Sequence, residues 1–220
     1  MQEYRASAGL AFTAINDNEC ALSGIGNCTE HNIMIPTEHM GRTVVMISDM
    51  AFAQNHDITS VTIPDSIKSI GDYAFAWCHS LTSVTVQNGG VQTIGERTFI
   101  GCDNMIHLYL GDSIRIIGEK AFAFCASLQT LALPYGTKLV GDSAFEGCRS
   151  LVSVSLPETL DTLPANMFGA CISLTDISLS AFTKSIGHYA FSFCRNLRNI
   201  NVGNALVDDC AFIGCEALAN

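Results

Sequence analysis

Residues 117–134 read IGEKAFAFCASLQTLALP, and the same phrase, slightly altered, runs as IGDYAFAWCHSLTSVTV over 70–86 and as IGHYAFSFCRNLRNINV over 186–202. Its anchor is a phenylalanine. Phe52, Phe75, Phe99, Phe122, Phe145, Phe168, Phe191 and Phe212 are separated by 23, 24, 23, 23, 23, 23 and 21 residues. Self-similarity at a fixed step of about 20 to 29 residues marks a stacked solenoid. Function is therefore to be sought on a repetitive surface before any pocket.

Within each unit the apolar positions are the small residue before the Phe, the Phe, a Cys three on, a Leu six on, and a β-branched or Leu pair nine and eleven on. A further Ile or Leu at about fifteen and eighteen completes the set. The pair alternates with small polar residues, as in Ser60-Val61-Thr62-Ile63 and Ser153-Val154-Ser155-Leu156. Such alternation predicts a short strand with one face inward. The Gly-Asp-x-Ala-Phe segment has the spacing of one helical or 3-10 turn, with an acidic residue placed to cap it. Each rung is thus expected to contain a strand closed by Pro64, Pro134 or Pro157 where one is present, a second short extended piece ending in Ile-Gly, and a helical turn. One unit has too few large apolar side chains to offset the ordering of 23 residues, so each rung must bury its neighbour's face.

The extra residue between Phe75 and Phe99 falls in Gln87-Asn88-Gly89-Gly90-Val91, and the last interval loses two residues between Val202 and Val207. Leu10–Thr13 and Ala21–Gly24 read as a hairpin around Asn16-Asp17-Asn18, followed by the strand Ile33–Pro36. Residues 1–43 are expected to form an N-terminal cap and residues 44–220 an array of about eight rungs. The chain stops at Cys215-Glu216-Ala217-Leu218-Ala219-Asn220, before its expected strand. That leaves two readings: the protein continues, or another subunit covers the edge.

With 48% hydrophobic and 15% charged residues the chain has ample apolar material for a folded core. A net charge of −10 disfavours nucleic acid and anionic membrane surfaces as partners. No apolar run approaches the ~18 residues of a membrane-spanning helix, and MQEYRASAGLAF shows no basic region followed by an apolar stretch, so no secretory signal is read in this chain.

The phrase L-T-S-V-T-I-P-x-x-I-x-x-I-G-x-x-A-F-x-x-C resembles the repeat of the BspA-like leucine-rich repeat family, found in many bacterial surface proteins and some protist ones. The opening G-L-A-F-T through G-I-G-N-C-T and I-M-I-P is similar to the usual start of its arrays. The resemblance covers nearly the whole chain. It implies a leucine-rich-repeat solenoid, a right-handed β/α superhelix, at the cell surface or secreted, in adhesion or binding of an extracellular or host protein. The family has no fixed functional motif, so no site residue carries over.

Seven cysteines, Cys78, Cys102, Cys125, Cys148, Cys171, Cys194 and Cys215, follow their phenylalanines by three. A buried thiol column suits them. No C-x-x-C pair suggests zinc, and Cys20 with Cys28 is the one candidate disulfide. Asp49, Asp72, Glu96, Glu119 and Asp142 precede their phenylalanines by three. They read either as caps on the helical turns or as a stripe for divalent cations or basic partners. His56, His79 and Asp103 form a third column that could line a zinc site, but it continues as Ala126, Arg149, Ile172 and Arg195, as a variable solvated position would. No metal and no cofactor are expected. Catalytic signatures such as G-x-S-x-G, a P-loop, H-E-x-x-H and G-x-G-x-x-G are missing from the sequence, and an enzyme is not expected.

The outward strand positions remain: Ser60 and Thr62, Ser83 and Thr85, His107 and Tyr109, Thr130 and Ala132, Ser153 and Ser155, Asp176 and Ser178, Asn199 and Asn201. Most are small and neutral, which lets a partner's backbone or a sugar approach closely. His107 with Tyr109, near the centre, is where a hot spot is expected. Trp77, Phe124 and Phe193, two residues after their phenylalanines, either form a second apolar strip or fill gaps left by Gly101 and Gly147. The expected function is a non-enzymatic binding or adhesion module for a protein. The alternatives are a carbohydrate-binding or wall-associated module, or a spacer.

Overall fold

The phenylalanine period builds a continuous column. In the computed structural model, which describes residues 5–218, consecutive rings from Phe52 to Phe212 stack face to face. Their centroids lie 4.9, 5.1, 5.2, 5.4, 5.7, 5.6 and 5.4 Å apart, with interplanar angles of 20° or less. All but Phe212 are buried. Every rung of this solenoid is thus placed one strand spacing from the next.

Two sides of each rung are extended, as the two apolar alternations require. One carries the longer strands: Asn32–Met34, Ser60–Ile63, Ser83–Val86 and His107–Tyr109 pair parallel and in register. The same side continues as Thr130–Ala132 with Ser153–Ser155, and as Asp176–Ile177 with Asn199–Ile200. After the six-residue strand Arg42–Ile47, the second side carries two-residue strands ending at the residue before each Gly or its equivalent. Arg42–Ile47, Ser69–Ile70, Thr93–Ile94, Ile116–Ile117 and Leu139–Val140 form one parallel ladder. Thr162–Leu163, Ser185–Ile186 and Leu206–Val207 form another. At the N-terminal end Ala11–Ala14 and Glu19–Gly24 make an antiparallel hairpin whose second strand pairs parallel with Arg42–Ile47. The segment before residue 43 therefore supplies the first strands of both sides. Residues 1–4 of the expected cap, and Ala219 and Asn220 at the other end, lie outside the described residues.

The third side corrects the sequence reading. No helical or 3-10 turn forms around the phenylalanines; the segment is a run of hydrogen-bonded turns. Residues two before and two after the Phe adopt left-handed φ in rung after rung: Met50 and Gln54, Tyr73 and Trp77, Lys120 and Phe124, Asn166 and Ala170, Tyr189 and Phe193. Alternating left- and right-handed residues turn successive alternate N–H groups toward the following rung. Met50, Phe52 and Gln54 donate to the carbonyls of Asp72, Ala74 and Ala76 at 2.9, 2.7 and 2.7 Å. The pattern repeats for Tyr73, Phe75 and Trp77 with Glu96, Thr98 and Ile100. A helical turn would satisfy these donors within the rung. Here a third ladder between rungs uses them, which offsets the backbone strain of non-glycine residues in the left-handed region.

The acidic column is corrected with it. The Asp49 carboxylate accepts the backbone N–H of Asp72 (2.8 Å), Asp72 that of Glu96 (2.7 Å), and Asp142 that of Ala165 (3.1 Å). These carboxylates reach the next rung instead of capping their own. A Cβ on Gly95 would sit 2.5 Å from the Asp72 carboxylate oxygen, so the Gly of Ile-Gly keeps this approach open. Glu96 and Glu119 are offset instead by Arg97 at 3.2 and 2.8 Å and by Lys120, 3.1 Å from Glu119.

Cysteine has a polar task in the core. The thiols of Cys78, Cys102, Cys125, Cys148, Cys171, Cys194 and Cys215 each donate to the carbonyl of the preceding rung's phenylalanine, at 3.0 to 3.4 Å. All ten cysteines are free, Cys20 and Cys28 included. The Cys20 thiol is directed at the Arg42 carbonyl at 3.8 Å. Burial pushes Cys78, Cys148 and Cys194 up to about 12.

Three outcomes follow from this packing. Phe122→Ala, in mid-column, is expected to cost about 3–5 kcal/mol in urea denaturation, and Phe212→Ala at the partly exposed end less. Gly147 has φ +71 and a Cβ there would lie 2.6 Å from the Phe124 ring. Gly147→Ala should therefore cost roughly 1–3 kcal/mol, and less in a Phe124→Ala background, as a double-mutant cycle would read. Maleimide labelling of the native protein at pH 8, followed by mass spectrometry, should modify Cys28 and Cys210 well before the buried Cys78 to Cys194 column, whose thiols stay protonated there.

Candidate binding surfaces

The longer-strand side places its outward residues in three plates. Ladder hydrogen bonds are missing between His107–Tyr109 and Thr130–Ala132, and between Ser153–Ser155 and Asp176–Ile177. The first plate aligns Ser60, Ser83 and His107 in one row and Thr62, Thr85 and Tyr109 in the next. Tyr109 is 53% exposed, and its hydroxyl donates to the Asn88 side-chain oxygen at 3.0 Å. The Gln87–Val91 loop, one residue longer than its counterparts, thus tethers the tip of the ring. Beside it the second plate is low, with Thr130 next to Ser153 and Ala132 next to Ser155.

The third plate sets Asp176 beside Asn199. The Asn199 amide donates to the Asp176 carboxylate at 2.9 Å, which with Thr175 and nearby Arg198 holds this carboxyl below its ordinary range. Asn201 follows the strand, its side chain accepting the Gly203 N–H at 3.0 Å. These three residues rim a hollow of about 870 Å³ with an apolar floor that includes Ile177, Val202 and Leu218. The structure therefore brings together Thr85, His107 and Tyr109 in one group, Thr130, Ser153 and Ser155 in a second, and Asp176, Asn199 and Asn201 in a third. The first and third groups stand at separate places on the face.

The histidine column resolves differently. The His56 and His79 rings stack 5.3 Å apart, and His79 Nδ1 lies 2.8 Å from the Asp103 carboxylate. Parallel imidazoles side by side do not converge their nitrogens on one point. Among the described residues no three His, Cys, Asp or Glu side chains are grouped to hold a metal ion.

The turn side carries features that the sequence reading had only touched. Trp77, Phe124 and Phe193 lie across Gly101, Gly147 and Gly214 of the following rungs, yet stay 38%, 45% and 48% exposed. They fill the glycine gaps, on rungs too far apart to make a continuous strip.

Comparison with known proteins places the repeat. The model of the BspA type leucine rich repeat region matches in six copies over residues 45–138 and 92–219. No curated protein matches the chain. A leucine rich cell surface protein from Faecalibacterium prausnitzii is similar at 31% identity and a TM-score of 0.78, covering 91% of this chain. A leucine-rich repeat protein from Bacteroides ovatus is similar at 30% identity and a TM-score of 0.81, again over 91% of this chain. The chain spans about half, 54%, of each of those two proteins. A T. pallidum leucine rich repeat protein, 24% identical, shares the fold at a TM-score of 0.80, over 90% of this chain and 92% of its own. No helix among the described residues is long and apolar enough to cross a membrane. With its period, its Phe and Cys columns and a family match spanning most of its length, this chain belongs to the BspA-type leucine-rich repeat family.

Proposed function

We propose that the chain is a non-enzymatic binding module at the cell surface, or secreted, that presents its longer-strand side to an extracellular or host protein, with residues 1–43 closing its N-terminal end. The observation that carries this reading is Tyr109. It is a half-exposed aromatic tethered by Asn88, on the strand of His107 and next along the face to Thr130, Ala132, Ser153 and Ser155. A rigid aromatic anchor bordered by small polar residues is the arrangement from which protein hot spots are built. The F. prausnitzii relative described as a cell surface protein supports the location. A net charge of −10 disfavours a nucleic acid partner, and no helix among the described residues is long and apolar enough to cross a membrane. Thr85, Asp176, Asn199 and Asn201 extend the same face as complementary contacts.

The test is a panel of immobilised extracellular matrix proteins beside a glycan array, each probed with the wild-type chain and with His107→Ala and Tyr109→Ala. One matrix protein is expected to bind, with Tyr109→Ala weakening it about 10- to 30-fold, the size of a hot-spot truncation. Binding to glycans alone would move the function to the carbohydrate class. Matrix binding untouched by both substitutions would remove the strand side as the site.

A further inference from the structure

One position in the repeat ties each rung to the one before it. Gly71, Gly95, Gly118, Gly141 and Gly187 each donate their backbone N–H to the carbonyl that ends the preceding rung's short strand, at 2.8 or 2.9 Å. Ser48 and Asp208 make the equivalent bond from the same position at 2.9 and 3.0 Å, so a side chain there is compatible with it. In one rung the position is Pro164, which has no N–H to give. The Val140 carbonyl is left without this donor.

The loss extends beyond one bond. Lys138 and Lys184 donate their N–H groups to the carbonyls of Arg115 and Asp161 at 2.9 and 2.7 Å, whereas the Asp161 N–H has no acceptor among the described residues. Leu139–Val140 and Thr162–Leu163 accordingly belong to separate ladders, and further along the same boundary so do Ser153–Ser155 and Asp176–Ile177. The other break on the longer-strand side, after His107–Tyr109, differs, because the short strands on either side of it, Thr93–Ile94, Ile116–Ile117 and Leu139–Val140, stay paired. Across the Pro164 boundary the turn ladder remains, with Ser143, Phe145 and Gly147 donating to Ala165, Met167 and Gly169 at 2.8, 3.0 and 2.7 Å. The Thr159 hydroxyl, 2.8 Å from the Thr137 carbonyl, ties one corner. The Phe145 and Phe168 rings are 5.7 Å apart, the widest step of the column. No ion pair crosses here among the described residues. Beyond it both strand ladders resume, Thr162–Leu163 with Ser185–Ile186 and Asp176–Ile177 with Asn199–Ile200.

We propose that Pro164 makes this boundary a joint, at which the rungs from residue 161 onward open away from those before it as one unit. The stability of a stacked array is close to a sum of its interfaces, so opening concentrates at the interface with the fewest bonds. Cys171 reports on it, because its thiol is bonded across the boundary to the Phe145 carbonyl at 3.3 Å. Cys194, bonded to the Phe168 carbonyl at 3.1 Å, lies inside the unit. Rungs parted from their neighbour's face lose their own packing, so Cys194 is uncovered in the same event. The Tyr109 group stands before the joint and the Asp176, Asn199 and Asn201 group after it, so a partner touching both would hold it closed.

The test holds the native chain in N-ethylmaleimide at pH 8 and follows each buried cysteine by peptide mass spectrometry over hours. Cys171 and Cys194 should react at one common rate, about tenfold above Cys102 and Cys125, the factor equivalent to one missing backbone bond. Amide exchange read by NMR then identifies the cause. The Asp161 amide should exchange at least about tenfold faster than those of Lys138 and Lys184, which are bonded. In Pro164→Gly that gap should close, and the amide at position 164 should be as protected as those of Gly141 and Gly187. Comparing amides within one variant cancels the effect that removing a proline has on the unfolded chain. The proposal is overturned by Cys194 reacting well before Cys171, as fraying inward from residue 218 would produce. It is equally overturned by Cys171 reacting no faster than Cys125, or by an Asp161 amide whose exchange relative to Lys138 and Lys184 is the same in Pro164→Gly as in wild type.

Discussion

Everything in this protein is subordinate to one spacing. Parallel ladders on three sides hold successive rungs about one strand apart, so each residue type meets its own counterpart roughly 5 Å away along the axis. For phenylalanine that proximity is favourable, and seven consecutive ring pairs stack within 20° of parallel. It also places each cysteine thiol under the carbonyl of the previous phenylalanine, which supplies a second bond to a buried acceptor. For carboxylates the same proximity is costly. Asp49 and Asp72 offset it by accepting backbone N–H groups from the next rung, and Glu96 and Glu119 by sharing Arg97. A column persists only where its own repetition is tolerated. The acidic one accordingly lapses to Ala165 and His188 before returning at Asp209.

The apolar register was legible in the sequence because it is enforced at every rung. Phe, Cys and the strand pairs fall where their period places them, and the outward order of Thr85, Tyr109, Thr130 and Ser153 follows from strand alternation alone. The turn conformation was not legible. Whether an N–H points within its rung or toward the next depends on the sign of φ two residues from the Phe. Met50, Tyr73, Lys120 and Tyr189 give no hint of left-handed backbone, since neighbouring rungs impose it. Gly101, Gly147 and Gly214 were the visible trace, each beneath an aromatic ring of the previous rung. The grouping of the strand face into plates was equally hidden, because no residue on that side marks where its ladder breaks.

Stability in such an array is close to a sum of neighbouring interfaces, so one rung can diverge without disturbing distant ones. A single rung can then acquire a feature that its neighbours lack. Tyr109 is an addition, an aromatic inserted into a row that otherwise reads Thr62, Thr85, Ala132 and Ser155, with a longer loop supplying Asn88 to hold it. Because the Tyr109 strand is held in register by its pairing with Ser83–Val86 and the hydroxyl is bonded to Asn88, the ring is presented without a ligand to order it, and a partner binding there would not bear that ordering cost.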